Sequence, residues 1–182
     1  MSEELKGKVI WLFGISGSGK TTLADLLAKE LEVKAIRVVR LDGDVVRKSL
    51  CSDLGFTDED IFKNIRRVCY VADLLSRNGV TVIASFITPH RVNRVYLKKK
   101  LGKRLILVHV LTSLRVCMER DTKGLYEKVL SGEITNLAGL DAPFHPVEHS
   151  DGLVIDCPTS NFSAEDSYNT LKSLLEFWGY EV

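Results

Sequence analysis

Gly14-Ile15-Ser16-Gly17-Ser18-Gly19-Lys20-Thr21 decides the fold, because it matches the phosphate-binding pattern G-x-x-x-x-G-K-[ST] at every defined position. Its glycines let backbone N–H groups converge on phosphate oxygens without obstruction by Cβ atoms. Lys20 brings a charge to the β- and γ-phosphates, and the Thr21 hydroxyl offers a ligand for Mg²⁺. Such a loop needs a strand before it and a helix after it. The run Val9 to Ile15 reads as a buried strand, and Lys20 to Leu31 carries leucines at helical spacing. Gly14, Ser16, Gly17, Ser18, Gly19, Lys20, Thr21 and the neighbouring Thr22 are therefore expected to hold ATP.

Outward from the loop, strands and helices alternate. Ile36 to Leu41 reads as a second strand, Thr81 to Ile87 as a third, Arg104 to Leu111 as a fourth and Leu153 to Asp156 as a fifth. Asp58 to Arg77 reads as a helix capped by Thr57 and stopped by Asn78-Gly79, and Ser163 to Trp178 as an amphipathic closing helix. The stripe Leu171, Leu174, Leu175, Trp178 is expected to be core. The pattern predicts a three-layer α/β fold around a parallel sheet, in one domain spanning 1–182. The Gly-, Pro- and charge-rich segment from about 121 to 150 is too long for a connection and is expected to form a lid.

Composition narrows the partners. The formal net charge of +1 gives no global attraction to nucleic acid or membrane, so anions must be bound at a local site. No apolar run reaches membrane-spanning length, and the acidic N-terminus lacks the apolar stretch of a leader. The cysteines at 51, 69, 117 and 157 form no C-x-x-C pair, which suits reduced thiols and a cytoplasmic location. No Asn-Lys-x-Asp guanine selector and no Ser-Gly-Gly signature occurs. A kinase for a small acceptor remains.

Leu41-Asp42-Gly43-Asp44 follows the second strand, where ligands collect in open α/β sheets. Its two carboxylates suit metal binding and acceptance of a hydroxyl proton. His145-Pro-Val-Glu-His149 has the spacing of a metal pair, but Pro146 opposes a regular helix and no third ligand stands nearby.

Together with Arg47, Asp53-Leu-Gly-Phe56, Asn64-Ile-Arg-Arg67, Phe86-Ile-Thr-Pro89, Arg91, Arg120-Asp-x-Lys-Gly-Leu-Tyr126, Gly132-Glu-Ile134 and Gly139-x-Asp141, this motif makes the chain resemble the adenylylsulfate kinase family. That family phosphorylates the ribose 3′-hydroxyl of adenosine 5′-phosphosulfate (APS) with ATP. The resemblance implies a P-loop kinase fold with five central parallel strands, Mg²⁺, a nucleotide acceptor and a homodimer. It implies Asp44 as general base or Mg²⁺-organising carboxylate beside Thr21, with Asp42 in support. Arg47, Asn64, Ile87 and Thr88 would line the acceptor site, Phe56 would stack on its base, and Arg120 and Lys123 would belong to the lid.

The departures fall on the acceptor side. The family's Asp-Arg is Asp60-Ile61 here, its Gly-Asp-Asn is Gly43-Asp44-Val45, its Phe-Thr-Gly is Leu137-Ala138-Gly139, and its Phe-Ile-Ser-Pro serine is Thr88. Two acceptors fit: APS, with Arg40, Arg91 or Arg94 replacing the missing arginine, or a cytidine diphosphoramidate-type nucleotide packed on Leu137. A non-catalytic nucleotide-binding module is the third reading.

Overall fold

In the computed structural model, which describes residues 3–4, 7–148, 151 and 154–182, five parallel strands form the central sheet. They are β2 (Val9–Phe13), β3 (Val38–Asp42), β4 (Thr81–Phe86), β5 (Leu105–Leu111) and β6 (Val154–Pro158), in the order β3-β4-β2-β5-β6. A second, two-stranded parallel sheet pairs β1 (Glu3–Glu4) with β7 (Tyr180–Glu181).

Side chains alternate between sheet faces, and the two faces build two cores. Ile10, Leu12, Ile83 and Val108 pack under α1 (Lys20–Val33) and α7 (Ala164–Phe177). Val9, Trp11, Val82 and Leu107 pack under α3 (Asp58–Arg77) and α4 (Arg91–Leu101). Burial on both sides explains why β2 reads as an unbroken apolar run and β4 as an apolar one interrupted only by Thr81 and Ser85.

Helix α3 has the predicted ends: the Thr57 side chain accepts from the Asp60 N–H, and Asn78 closes the C-terminus. Four helices escaped the sequence reading: α2 (Gly43–Arg47), α4, α5 (Leu114–Arg120) and α6 (Leu125–Leu130). The second strand is displaced to Val38–Asp42, so Asp42 belongs to the strand and also caps α2. In the closing helix Leu171 and Leu175 are core, but Trp178 is 43% exposed and leaves the predicted stripe. The fifth strand begins at Val154, with Leu153 outside the described residues. All four cysteines are free and buried.

Candidate active site

Strand register brings the chemistry together. Asp42 lies beside Ser85 at the carboxyl ends of β3 and β4, and the phosphate loop leaves β2 next to them. Gly14 starts the loop at φ +154°, and a Cβ there would meet the Val110 carbonyl at 2.7 Å. Its own N–H donates to the Ile87 carbonyl at 3.3 Å, tying the loop to the end of β4. Gly14 thus shapes the loop from behind. Every other residue expected in the site lines one cleft of about 1110 Å³.

The loop is held from below. Thr112 and Thr159 hydroxyls both donate to the Ser18 carbonyl at 3.0 Å. Arg120 donates to the carbonyls of Gly17 and Thr159 at 3.5 and 2.8 Å, and Tyr126 donates to that of Ser16 at 2.8 Å. Helix α1 begins at Lys20, so its free N–H groups and positive end face the loop.

Lys20 folds back, donating to the Ile15 carbonyl at 2.6 Å and to Ser18 Oγ at 3.3 Å. Although the residue is half-buried, its ammonium is enclosed by the loop. That desolvation, with the charge of Lys123 added, lowers its pKa to about 8. Bound phosphates reverse this, because anions favour the protonated form. The free lysine is mostly neutral at pH 9 and the phosphate-bound one charged, so ATP binding at pH 9 takes up close to one proton, and affinity declines as pH rises past 8. At pH 6.5 Lys20 contributes no uptake. Calorimetry in buffers of differing ionisation enthalpy reads the number directly; no uptake at pH 9 would contradict the buried ammonium.

Asp42 is fixed by three donors: Thr21 Oγ1 at 3.0 Å, Ser85 Oγ at 2.9 Å and the Asp44 N–H at 3.0 Å. Burial pushes its pKa up, but these hydrogen bonds outweigh burial and leave it below the ordinary carboxylate range. Asp44 projects further into the opening and pairs with Lys123. The structure therefore sets Asp42, rather than Asp44, beside Thr21. A hydroxyl with two carboxylates is an all-oxygen donor set that fits Mg²⁺. No group of three or more His, Cys, Asp or Glu is arranged for a metal among the described residues. His145 Nδ1 accepts from the Arg91 N–H at 3.3 Å, and His149 lies outside the described residues.

Among the residues expected to meet the acceptor, Phe56 is 62% exposed, with the Arg47 guanidinium over its ring at 4.2 Å. Arg47 also donates to the Gly55 carbonyl at 2.9 Å. Asn64 is buried, and its Oδ1 has no hydrogen-bond partner. Thr88 has φ +48°, unusual for a β-branched residue, and its buried hydroxyl accepts from Trp11 Nε1 at 2.9 Å.

The expected lid rests on the loop. Leu137 packs with Tyr126, Cys117 and Ile15, and still lines the cleft. The Asp141 carboxylate accepts from the N–H groups of Asn136 and Leu137 at 2.9 and 2.7 Å, shaping the turn that presents Leu137. Gly139 is required there: at φ +91°, a Cβ would stand 2.6 Å from Ile15 Cγ2.

None of the three arginines expected to replace the missing one lines the cleft. Arg40 pairs with Asp25, and Arg91 with Glu148 at 3.0 Å. Arg94 is fully buried against Asp151 at 3.1 Å and donates to the carbonyls of Pro89 and Pro146 at 3.3 and 2.7 Å. It braces the wall instead of meeting a ligand. The sequence reading missed Lys48, Ser85, Thr159 and Phe162, which all line the cleft. For Ser85 the available signal was its place at the end of an apolar strand.

Comparison with known proteins bears on the family and the fold. A family model described as adenylylsulphate kinase matches residues 6–156. A probable adenylyl-sulfate kinase of Pseudomonas aeruginosa is 44% identical over 168 residues, covering 92% of this chain and 77% of that protein. The adenylyl-sulfate kinase of Halothermothrix orenii is 42% identical over 175 residues, covering 96% and 92%. The Mycobacterium tuberculosis APS kinase CysC, solved with AMPPNP and APS, superposes with a TM-score of 0.86 at 36% identity, covering 94% of this chain and 98% of that one. The chain belongs to the adenylylsulphate kinase family and carries its P-loop kinase fold.

Proposed function

We propose that this chain transfers the γ-phosphoryl group of ATP to the ribose 3′-hydroxyl of APS, giving PAPS and ADP. The observation that carries the reading is the single cleft: phosphate loop, Asp42–Asp44 pair and acceptor wall face one another across it. The ammonium of Lys20 leaves the Ile15 carbonyl for the β- and γ-phosphates and stabilises charge on the group in flight. Asp44 receives the proton of the attacking hydroxyl, and Lys123 turns from Asp44 toward the donor phosphates. Thr21 and these carboxylates would hold Mg²⁺, which would supply neutralisation of phosphate charge. Asp42, already fixed by three donors, costs little further ordering. Arg120 anchors the base of the donor site, with Phe56, Asn64, Ile87, Thr88 and Leu137 around the acceptor.

A homodimer and a cytoplasmic setting accompany this reading. Among the described residues no helix is long and apolar enough to cross a membrane. Identification of the product tests the activity: a new phosphorus resonance coupled to the ribose 3′ position supports it, and phosphorylation elsewhere on APS overturns it.

One observation favours a second acceptor. Ile61 and Leu137 line the cleft as aliphatic groups, which suits a smaller pyrimidine such as the cytidine diphosphoramidate type. The variant Ile61→Arg separates the two. With APS as acceptor, its KM should hold or fall, by up to roughly ten- to a hundredfold, the worth of one charge-assisted bond. A clear rise in steady-state KM would mean the wall is arranged for another ligand.

A further inference from the structure

Carbonyls of the phosphate loop differ in how many donors hold them. The Ile15 carbonyl accepts from Lys20 Nζ at 2.6 Å and from the Ser18 N–H at 3.3 Å. That of Ser18 accepts from the hydroxyls of Thr112 and Thr159, both at 3.0 Å. Ser16 and Gly17 have one donor each among the described residues: the Tyr126 hydroxyl at 2.8 Å and Arg120 at 3.5 Å. Tyr126 makes the shorter of these two bonds, and it comes from α6, 110 residues along the chain from Ser16.

Local sequence puts that hydroxyl in place. The Asp121 carboxylate accepts from the N–H groups of Tyr126 and Glu127 at 3.2 and 3.0 Å, satisfying free donors at the start of α6. The Tyr126 ring is buried with Cys117 and Leu137 and packs with Ile15. Burial holds the phenol well above its ordinary pKa, so the hydroxyl keeps its proton and donates. The Ser16–Gly17 peptide is trans, so its C=O and N–H point in opposite directions. A carbonyl fixed on Tyr126 therefore turns the Gly17 N–H the other way. That N–H donates to no group among the described residues, and both Ser16 and Gly17 line the cleft. Gly17 is closed in behind: at φ +73°, a Cβ would stand 3.2 Å from the Cys117 carbonyl.

We infer that Tyr126 is a positioning residue of the donor site: its hydroxyl fixes the Ser16–Gly17 peptide so that the Gly17 N–H meets a phosphate oxygen of ATP. The inference rests on the proposed kinase function and names a group that readies the loop for it. An N–H oriented before the ligand arrives needs no reordering during transfer, and it opposes charge on the phosphates. Because the same ring packs with Leu137, the segment expected as a lid and the phosphate loop take up position together.

Tyr126→Phe keeps the ring in its packing and removes only the hydroxyl. Its Kd for Mg-ATP, measured by calorimetry well below the unfolding temperature, should rise about three- to tenfold, the worth of one neutral hydrogen bond. The KM for APS should stay within about twofold, since the ring still supports Leu137. Glycine-selective ¹⁵N spectra read the peptide itself. Adding Mg-ADP should move the Gly17 amide proton downfield in the parent, and the displacement should shrink in Tyr126→Phe. A purely structural role for the hydroxyl would leave that displacement unchanged. Unchanged Mg-ATP affinity overturns the inference, as does weakened affinity with the full Gly17 displacement, which would mean that the hydroxyl acts elsewhere. Turnover by the unsubstituted protein reports separately on the kinase reading: absent turnover with APS removes that reading, whereas normal turnover with an inert Tyr126→Phe removes only the positioning role.

Discussion

Replacing Lys20 with alanine is expected to lower kcat about a thousandfold, or about 4 kcal/mol of transition-state stabilisation. A phosphoryl group in flight spreads charge over its oxygens, and catalysis is mostly positioning and charge stabilisation. Lys20 sits where the loop converges, with its ammonium desolvated between the Ile15 carbonyl and the Ser18 hydroxyl. A charge in such a place acts more strongly than one in water. The fold should persist, because Lys20 bonds only within its own loop and Ser18 stays held by Thr112 and Thr159. Thermal unfolding checks that control, and steady-state rates with saturating ATP check the effect. A Lys20→Ala enzyme working at parental rates would remove the phosphate loop from the account.

Asp44→Asn should lower kcat about a hundredfold, at the lower end of what a positioned general base contributes. Asparagine keeps the shape and the N–H bond to Asp42, and removes the capacity to take the proton. The KM for APS should stay within about threefold, because the acceptor wall is untouched. Lys123→Met is the matching control. If Asp44 served only to hold Lys123, the two variants would behave alike. The mechanism instead expects Lys123→Met to act mainly on the KM for ATP and Asp44→Asn on kcat. Equal profiles would reassign Asp44 from proton acceptor to tether.

Much of this arrangement was readable from residues in order. The phosphate loop announces itself because its backbone geometry demands glycines and its chemistry a lysine and a hydroxyl. Helix α3 has a polar cap, a long amphipathic run and an Asn-Gly stop, all local signals, and its ends fell where they predicted. Helix α4 shows the opposite case. It carries Lys98, Lys99 and Lys100 outside, but buries Asn93 and Arg94, so its inner face does not read as apolar. Arg94 is tolerable there only because Asp151, far along the chain, comes to meet it. No local pattern can report such a partner, and Arg94 consequently looked available for ligand. Asp42 and Asp44 were found as a pair, but their division of labour depends on β3–β4 register, which places Ser85 beside Asp42. Phe56 could have been core by composition; 62% exposure in a cleft gives it a free face.

The central claim is that one cleft joins an ordinary phosphoryl-transfer site to an acceptor wall for APS. ADP release from Mg-ATP, followed with APS, with a cytidine diphosphoramidate-type acceptor and with no acceptor, tests it most directly. The account predicts fast, saturable turnover with APS well above the blank. Turnover confined to the cytidine compound would contradict it, and would mean that Ile61 and Leu137, which line the cleft, serve a different nucleotide on the same catalytic floor.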